Sequence, residues 1–454
     1  MKKGFTLVEL LAVIVILGLL SVLIVPKVIN TLNESEQKTN MASANGLLKA
    51  AEYKYQDNEI KGTNQTITID YTNNINIDKL EYNGKQPEKG KILINSNGKI
   101  AMAVKIGDYC YKKELTESEI TFKHYNEETC VTKIPTTVTS GDGLYESETE
   151  PGRLIYRGTN PNNYINIKED GTNNILYRIV SYESDGTIKV VRNENLSTKM
   201  AWDERDSSDL TTGPRSNTNN TFCYYSEGRY YYYGCNVWGN MNNTYYNGQT
   251  LSPEFKYRYY SNNSTETLQE HSNTGTVNTD STLNQYLNGT WLTSTLSNYI
   301  DNHNFNVGGL YYYFTVYTGG DKGIAREKEE EKLYAWTGKV GLLTLTEYVE
   351  SSTNPSCTDV WSNYYYNPDN ETNTTSNEWP CKYDNYNYKS EYNQWFITSE
   401  PYYPYTVWML YTHGYFTTTI AYNVLGVRPA FYLKSTIQIA GQGTTENPYY
   451  IVER

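Results

Sequence analysis

The first 27 residues constrain this chain more than any other stretch. Met-Lys-Lys-Gly at 1–4 is followed by a predominantly apolar run from Phe5 to Val25, which carries one charge, Glu9, and is closed by Pro26-Lys27. At about 1.5 Å rise per residue, a helix of that length covers a bilayer core. Lys2 and Lys3 hold its start inside. A secretory signal peptide would end its apolar stretch at a small-residue cleavage site, whereas this one ends in Val25-Pro26-Lys27. An uncleaved anchor leaves Glu9 unexplained, because a carboxylate inside an apolar span costs a few kcal/mol and is by default functional. Glu9 needs a partner. No second run of this kind follows, so a polytopic membrane protein is not expected.

These residues resemble the prepilin N-terminal cleavage and methylation segment of type IV pilins and pseudopilins. The resemblance implies that a prepilin peptidase cuts between Gly4 and Phe5 and that the new Phe5 amine is N-methylated. It makes Glu9 the residue of subunit assembly and Pro26 the site of a helix kink. Cleavage would remove Lys2 and Lys3 and leave an α-amino group for Glu9 of a neighbouring pilin subunit to neutralise in an apolar filament core, where an unpaired charge is expensive. The implied location is the cell membrane, single-pass through residues 5–25 with the C-terminal part outside, and the cell surface or pilus after assembly.

Past Pro26 the helical spacing continues through Val28, Ile29, Leu32, Met41, Leu47, Leu48 and Ala51, which predicts one long helix to about Tyr55 with an amphipathic second half. Alternation then predicts strands at Thr66–Tyr71, Lys91–Asn95 and Lys99–Tyr109, with Asn97-Gly98 a better hairpin turn than Asn83-Gly84. The expected fold class is α+β: a long N-terminal hydrophobic helix packed on a small antiparallel sheet, pilin-like, followed by a larger β-rich, loop-rich C-terminal domain. The division is a leader at 1–4, helix 5–55, globular head 56–135, linker 136–143 and an extracellular module 144–454.

Composition changes at the same boundary. Met1 to Pro135 holds 17 Lys+Arg against 16 Asp+Glu, the remainder 22 against 35, so the acidity belongs to the C-terminal part and a nucleic acid partner is disfavoured. Of the 47 Tyr, 40 lie after residue 135. Strand-like runs recur there at Arg153–Arg157, Ile165–Ile167, Ile175–Tyr182, Thr187–Arg192, Lys339–Leu345, Gln394–Thr398, Val407–Tyr411 and Val427–Lys434. Helical pattern is confined to Ser281–Asn288, Trp291–Asn302 and the charged run Arg326–Leu333, which reads as a solvated face.

The six cysteines are Cys110, Cys130, Cys223, Cys235, Cys357 and Cys381. Fifteen connectivities exist, and neighbour pairing into three local disulfides is the simplest. No Cys-x-x-Cys is present and the histidines are scattered, so neither zinc nor thiol redox chemistry has support. Disulfides imply oxidation outside the cytoplasm.

Tyr156–Ile165 (YRGTNPNNYI), Tyr177–Val180 (YRIV), Trp336–Leu343 (WTGKVGLL) and Gly426–Leu433 (GVRPAFYL) resemble a module of Gram-positive surface proteins. Its closing pattern is similar to C-type-lectin-like and formylglycine-generating-enzyme-like folds, which present loop-rich binding faces. The cysteines have disulfide spacing, so the formylglycine chemistry is not carried over. No Gly-x-Ser-x-Gly, His-Glu-x-x-His or phosphate loop is present, and no enzyme activity is expected. Asp203, Glu204 and Asp206 near Trp202 could form a glycosidase-like carboxylate pair, if their separation suited. No cofactor is expected; the loops Asp170–Asn174 and Asn367–Glu371 could bind calcium but lack EF-hand spacing and read first as turns.

Tyrosine carries the remaining functional content. Clusters at Tyr230 and Tyr231, Tyr311 and Tyr312, Trp361 with Tyr364 and Tyr365, and Tyr402 and Tyr403 with Trp408 hold more aromatics than strand alternation buries on one face. Exposed Tyr and Trp supply rigid contact area tipped with a hydrogen-bonding group, suited to a glycan or protein ligand. The bland alternative is that they pack a β-rich core. The expectation is a minor type IV pilin-like subunit displaying an adhesive module, against a pseudopilin of a secretion or DNA-uptake machine, or a membrane-anchored surface enzyme.

Overall fold

The computed structural model describes residues 7–62, 67–72, 79–95, 98–115, 117–127, 130–132, 134–135, 137–147, 150–204, 236–240, 244–246, 249–250, 256–259, 269–274, 279–308, 331, 334–358, 379–399 and 406–452, apart from the side chains of 9, 18–26, 30, 245–246, 249–250, 256–259 and 269–274. Two compact units result, Met1–Thr132 and Lys133–Arg454.

In the first unit the N-terminal helix runs Leu7–Ile60, past the expected end at Tyr55. It stops where Gly62 adopts φ +69° and donates its N–H to the Glu59 carbonyl, a left-handed residue closing the last turn. Pro26 lies within the helix, where its ring removes one backbone donor. Five strands follow: β1 Ile67–Asp70, β2 Lys89–Ile94, β3 Ile100–Ile106, β4 Tyr109–Lys113 and β5 Thr121–His124. They form one antiparallel sheet in chain order. The β2–β3 hairpin closes at the expected place, with Ile94 opposite Ile100 and Gly98 at φ +75°. The expected strand Lys99–Tyr109 is instead two strands, because Gly107 at φ +64° turns the chain between β3 and β4.

The core of this unit follows from two periodicities. Ala44, Leu47 and Ala51 share one helix face and are fully buried, and alternate residues Ile92, Ile94, Met102, Val104 and Ile106 meet them from β2 and β3. The alanines let the helix approach the sheet closely. Cys110–Cys130, with Cα atoms 5.7 Å apart, ties β4 to the segment after β5.

The second unit contains β6 Gly143–Glu146, β7 Leu154–Arg157, β8 Tyr164–Lys168, β9 Asn174–Tyr182, β10 Ile188–Arg192, β11 Met200–Ala201, β12 Thr244–Tyr246, β13 Gln249–Thr250, β14 Lys256–Tyr259, β15 Gln269–Thr274, β16 His303–Asn306, β17 Tyr334–Gly338, β18 Val340–Gly341, β19 Gln394–Ser399, β20 Thr406–Leu410, β21 Phe416–Ile420, β22 Val424–Leu425, β23 Ala430–Leu433, β24 Ile439–Ala440 and β25 Tyr449–Ile451. A nine-stranded sheet runs β18-β23-β10-β9-β8-β25-β24, with β6 and β7 attached at β9. Its pairs are antiparallel except β8 with β25, so the C-terminal strand locks against a strand from the start of the unit. The residues between β18 and β19 form a short helix, Leu345–Glu350, where the sequence reading continued a strand to Leu345. Thr344 caps it: its hydroxyl accepts the Glu347 N–H while the Glu347 carboxylate accepts the Thr344 N–H.

The segments quoted from the surface-protein resemblance act as fasteners. Asp142, placed by sequence in a linker, accepts the N–H groups of Thr159 and Asn160 at 2.9 and 2.7 Å, and Gly158 at φ +111° leaves no room for a Cβ beside that carboxylate. The linker is thus bound into the unit. Arg157 donates twice to the Ser352 carbonyl. Arg178 lies between the rings of Tyr164 and Tyr386, 3.7 and 4.8 Å from their centroids. Trp336 fills a slot whose walls are Gly239 and Gly338; a Cβ on either would fall within about 2 Å of the indole.

Candidate functional site

Gly4 and Phe5 lie outside the described residues, and of Glu9 and Pro26 the helical backbone is described and the side chains are not. Around them Leu7, Val8, Leu10, Leu11 and Val13 to Leu17 are exposed along the helix, an apolar surface that the first unit leaves uncovered. Among the described residues no helix is long and apolar enough to cross a membrane; residues 5–6 and the side chains of 9 and 18–25, part of the expected span, lie outside them.

Of the candidate aromatics, Tyr230, Tyr231, Tyr311, Tyr312, Trp361, Tyr364, Tyr365, Tyr402 and Tyr403 also lie outside the described residues. Trp408 is a correction: β20 places it in the core, packed with Val180, Leu410, Phe416 and the Cys357–Cys381 bridge, because every residue of β20 is buried. The neighbour pairing holds for Cys110–Cys130 and Cys357–Cys381, while Cys223 and Cys235 are not described.

A surface aromatic array that sequence reading passed over does appear. Tyr411, His413 and Tyr415 alternate across the β20–β21 turn. The Tyr411 ring stacks on His413 at 5.2 Å and on Tyr415 at 4.7 Å, and Tyr415 meets Trp379 at 5.2 Å. All four are at least partly exposed. Gly414 at φ +94° makes the turn, with the Tyr411 N–H on the Tyr415 carbonyl. The i, i+2, i+4 spacing of Tyr-Thr-His-Gly-Tyr was the available signal.

Beneath the surface lies a buried ionic network joining Arg153, just before β7, Glu183, just after β9, and Lys189 of β10 to the helix Leu345–Glu350. Lys189 Nζ donates to Glu347 Oε1 at 2.5 Å, Arg153 Nη2 reaches the same oxygen at 3.4 Å, and Arg153 Nη1 donates to Glu350 Oε2 at 2.8 Å. Arg153 Nε completes the set on Glu183 at 3.2 Å. The Lys189 ammonium also faces the rings of Phe305 and Tyr432. Burial alone would raise the Glu347 carboxyl, but Lys189 and then Arg153 hold it below the usual carboxylate range. The network is saturated with partners and reads as architecture rather than chemistry.

Of the carboxylates near Trp202, Asp203 and Glu204 are described, the first buried and the second exposed. Asp203 is buried and accepts from the N–H and hydroxyl of Thr282 at the start of the helix Thr282–Gln285, while Asp206 is not described. Asp170 spends its oxygens on the Thr172 and Asn173 N–H groups and the Asn173 amide, an Asx turn, whereas Asn367–Glu371 is not described. Among the described residues no three His, Cys, Asp or Glu side chains are placed to hold a metal ion. Glu331, from the charged run expected to be a solvated face, is buried, where it accepts from the Thr398 hydroxyl and the Leu345 N–H.

Residues 1–25 match the prokaryotic N-terminal methylation motif, and residues 257–435 match a domain of unknown function, DUF6273. No curated protein and no solved structure matches the chain. The chain therefore carries the processing segment of type IV pilin-like and pseudopilin precursors, at the residues that the sequence singled out. The second match gives no support to a lectin-like fold. It takes in β18 and β23 of the nine-stranded sheet and leaves the other seven strands outside it.

Proposed function

We propose that this chain is a minor type IV pilin-like subunit, cut by a prepilin peptidase between Gly4 and Phe5, methylated at Phe5, and assembled with other pilin subunits through Glu9. The observation that carries the reading is the methylation motif at residues 1–25, which opens directly into the helix Leu7–Ile60. Its exposed apolar side chains need a hydrophobic surrounding, which a membrane supplies before assembly and neighbouring helices supply after it. A module of this size on every subunit would crowd a thin filament, so a tip or low-copy position fits it best. The second unit acts as a binding module rather than an enzyme, contacting a glycan or protein through surface aromatics such as Tyr411, His413, Tyr415 and Trp379.

Immunogold electron microscopy of producing cells, with an antibody against the second unit, tests the placement. Gold at filament tips is expected. Gold confined to the envelope of cells that lack filaments would overturn it in favour of a pseudopilin.

A further inference from the structure

At the end of β10 three side chains are set together that neither the ionic network nor the aromatic array uses. Lys389 Nζ lies 3.3 Å from Asn193 Oδ1, one bond from the carboxamide carbon. The Asn193 Nδ2 donates to Glu194 Oε1 at 2.6 Å, and the same carboxylate oxygen is 3.6 Å from Lys389 Nζ. An amine, a carboxamide and an acid–base group thus share one site. We propose that Lys389 and Asn193 join in an intramolecular amide bond, with Glu194 carrying the proton between the entering and leaving nitrogens.

The surrounding bonds hold these groups for reaction. Arg428 is buried and spans the two segments, donating through Nε to the carbonyl of Arg192, next to Asn193, and through Nη1 to the carbonyl of Asn387, two residues before Lys389. Arg192 in turn donates to the carbonyls of Glu194 and Asn195, and the Asn193 N–H is fixed on the Leu176 carbonyl. Asn387 is held by Asn385 and Ser351. Lys389 Nζ and the Asn193 carboxamide are held in hydrogen-bond contact by this frame, and groups so held gain the advantage of an intramolecular reaction. Asn193 is 9% exposed, whereas the Lys389 and Glu194 side chains are 22% and 58% exposed and can exchange protons with solvent. Burial, and then the Arg428 charge, pulls the Lys389 amine down to about 8, so a substantial neutral fraction exists near neutral pH.

The neutral Lys389 nitrogen attacks Asn193 Cγ with its lone pair, and the carbonyl π electrons move onto Oδ1. Glu194 accepts the proton released by the attacking nitrogen and passes it to Nδ2. The carbonyl re-forms, the Cγ–Nδ2 bond breaks with its electrons on nitrogen, and ammonia leaves. One amine and one carboxamide become one secondary amide and one ammonia, with no oxidant and no activated co-substrate. The bond would close a loop between positions 196 residues apart, covalently fixing β10 to the segment before β19.

Mass spectrometry of the full-length chain after disulfide reduction tests this. The expected result is a mass lower by one ammonia and, after digestion, a branched peptide containing Asn193 and Lys389. Lys389→Arg and Asn193→Ala should restore the unlinked mass, and Glu194→Gln should slow the loss of ammonia in a time course. A fully incubated wild-type chain that yields separate peptides with intact Asn193 and Lys389 overturns the proposal. So does a loss of ammonia that digestion places elsewhere. Cleavage at Gly4–Phe5 is read from a different peptide, so neither claim can mask the other.

Discussion

Arg153→Met and Lys189→Met should both destabilise the second unit, and by unequal amounts. Both side chains are buried, at 3% and 1% exposure, and removing one partner of a buried ion pair costs about 3–5 kcal/mol because the other charge is left without compensation. Lys189→Met leaves Glu347 with Arg153 and the Thr344 N–H, so its cost belongs at the lower end, about 3 kcal/mol. Arg153→Met leaves Glu350 and Glu183 without their guanidinium and Glu347 with Lys189 and the Thr344 N–H, so its cost belongs at the upper end, about 5 kcal/mol. Glu347→Gln keeps the helix cap and balances the remaining charges, and should cost less than either. All eight tryptophans fall in the second unit, at residues 202 to 408, so tryptophan fluorescence during urea unfolding reports that unit alone. An Arg153→Met variant no less stable than Lys189→Met, at equal m-values, would refute the reasoning.

His303 gives a pH prediction. Burial lowers its affinity for a proton, but the hydrogen bond to Asp185, 3.2 Å away, the bond to the Asn304 carbonyl and the charges of Glu183 and Asp185 together outweigh burial and raise the imidazole above its ordinary value. Its contribution is therefore fully present below about pH 6.5 and lost as pH rises through the folded-state value. The stability gap between wild type and His303→Gln should narrow between pH 6 and 9, and a constant gap in urea titrations would count against the pair. Reduction of Cys357–Cys381, which closes a separation of 24 residues, should cost the second unit about 2–4 kcal/mol, read as the fluorescence midpoint of a Cys357→Ala/Cys381→Ala variant; an unchanged midpoint would contradict its role as a staple. Gly338→Ala would put a Cβ 2.0 Å from the Trp336 ring and should cost about 3 kcal/mol with a red-shifted emission, whereas native emission would show the slot to be slack.

How much of this was legible in the sequence depends on how local each signal is. Residues 1–25 carried their meaning in consecutive positions, and the helix-on-sheet core followed from the spacing of Leu47 and Ala51 and the alternation of Ile92 and Ile94. The helix Leu345–Glu350 was legible too, since Thr344 and Glu347 form a capping box, but the apolar run Val340–Leu345 has no period that separates strand from helix. Glu331 and Asp142 were misread for a different reason. Polar residues in a charged run or a Gly-rich stretch look solvated unless their partners are known. Glu331 finds Thr398 67 residues away, and Asp142 finds Asn160 18 residues away. The Arg153, Lys189 and Glu347 network was invisible for the same reason, its partners being 158 and 194 residues apart. Trp408 shows the limit of composition: tyrosine and tryptophan clusters announce aromatic surface, but only the pairing of β20 between β19 and β21 turns this one inward.

The central claim concerns the start of the chain, and its most direct test is the N-terminus of the protein recovered from producing cells, read by peptide mass spectrometry. The account predicts a first residue of N-methylated Phe5, and a Gly4→Val variant that keeps Met1, Lys2 and Lys3. A wild-type protein that still begins at Met1 in cells with an active prepilin peptidase would contradict it.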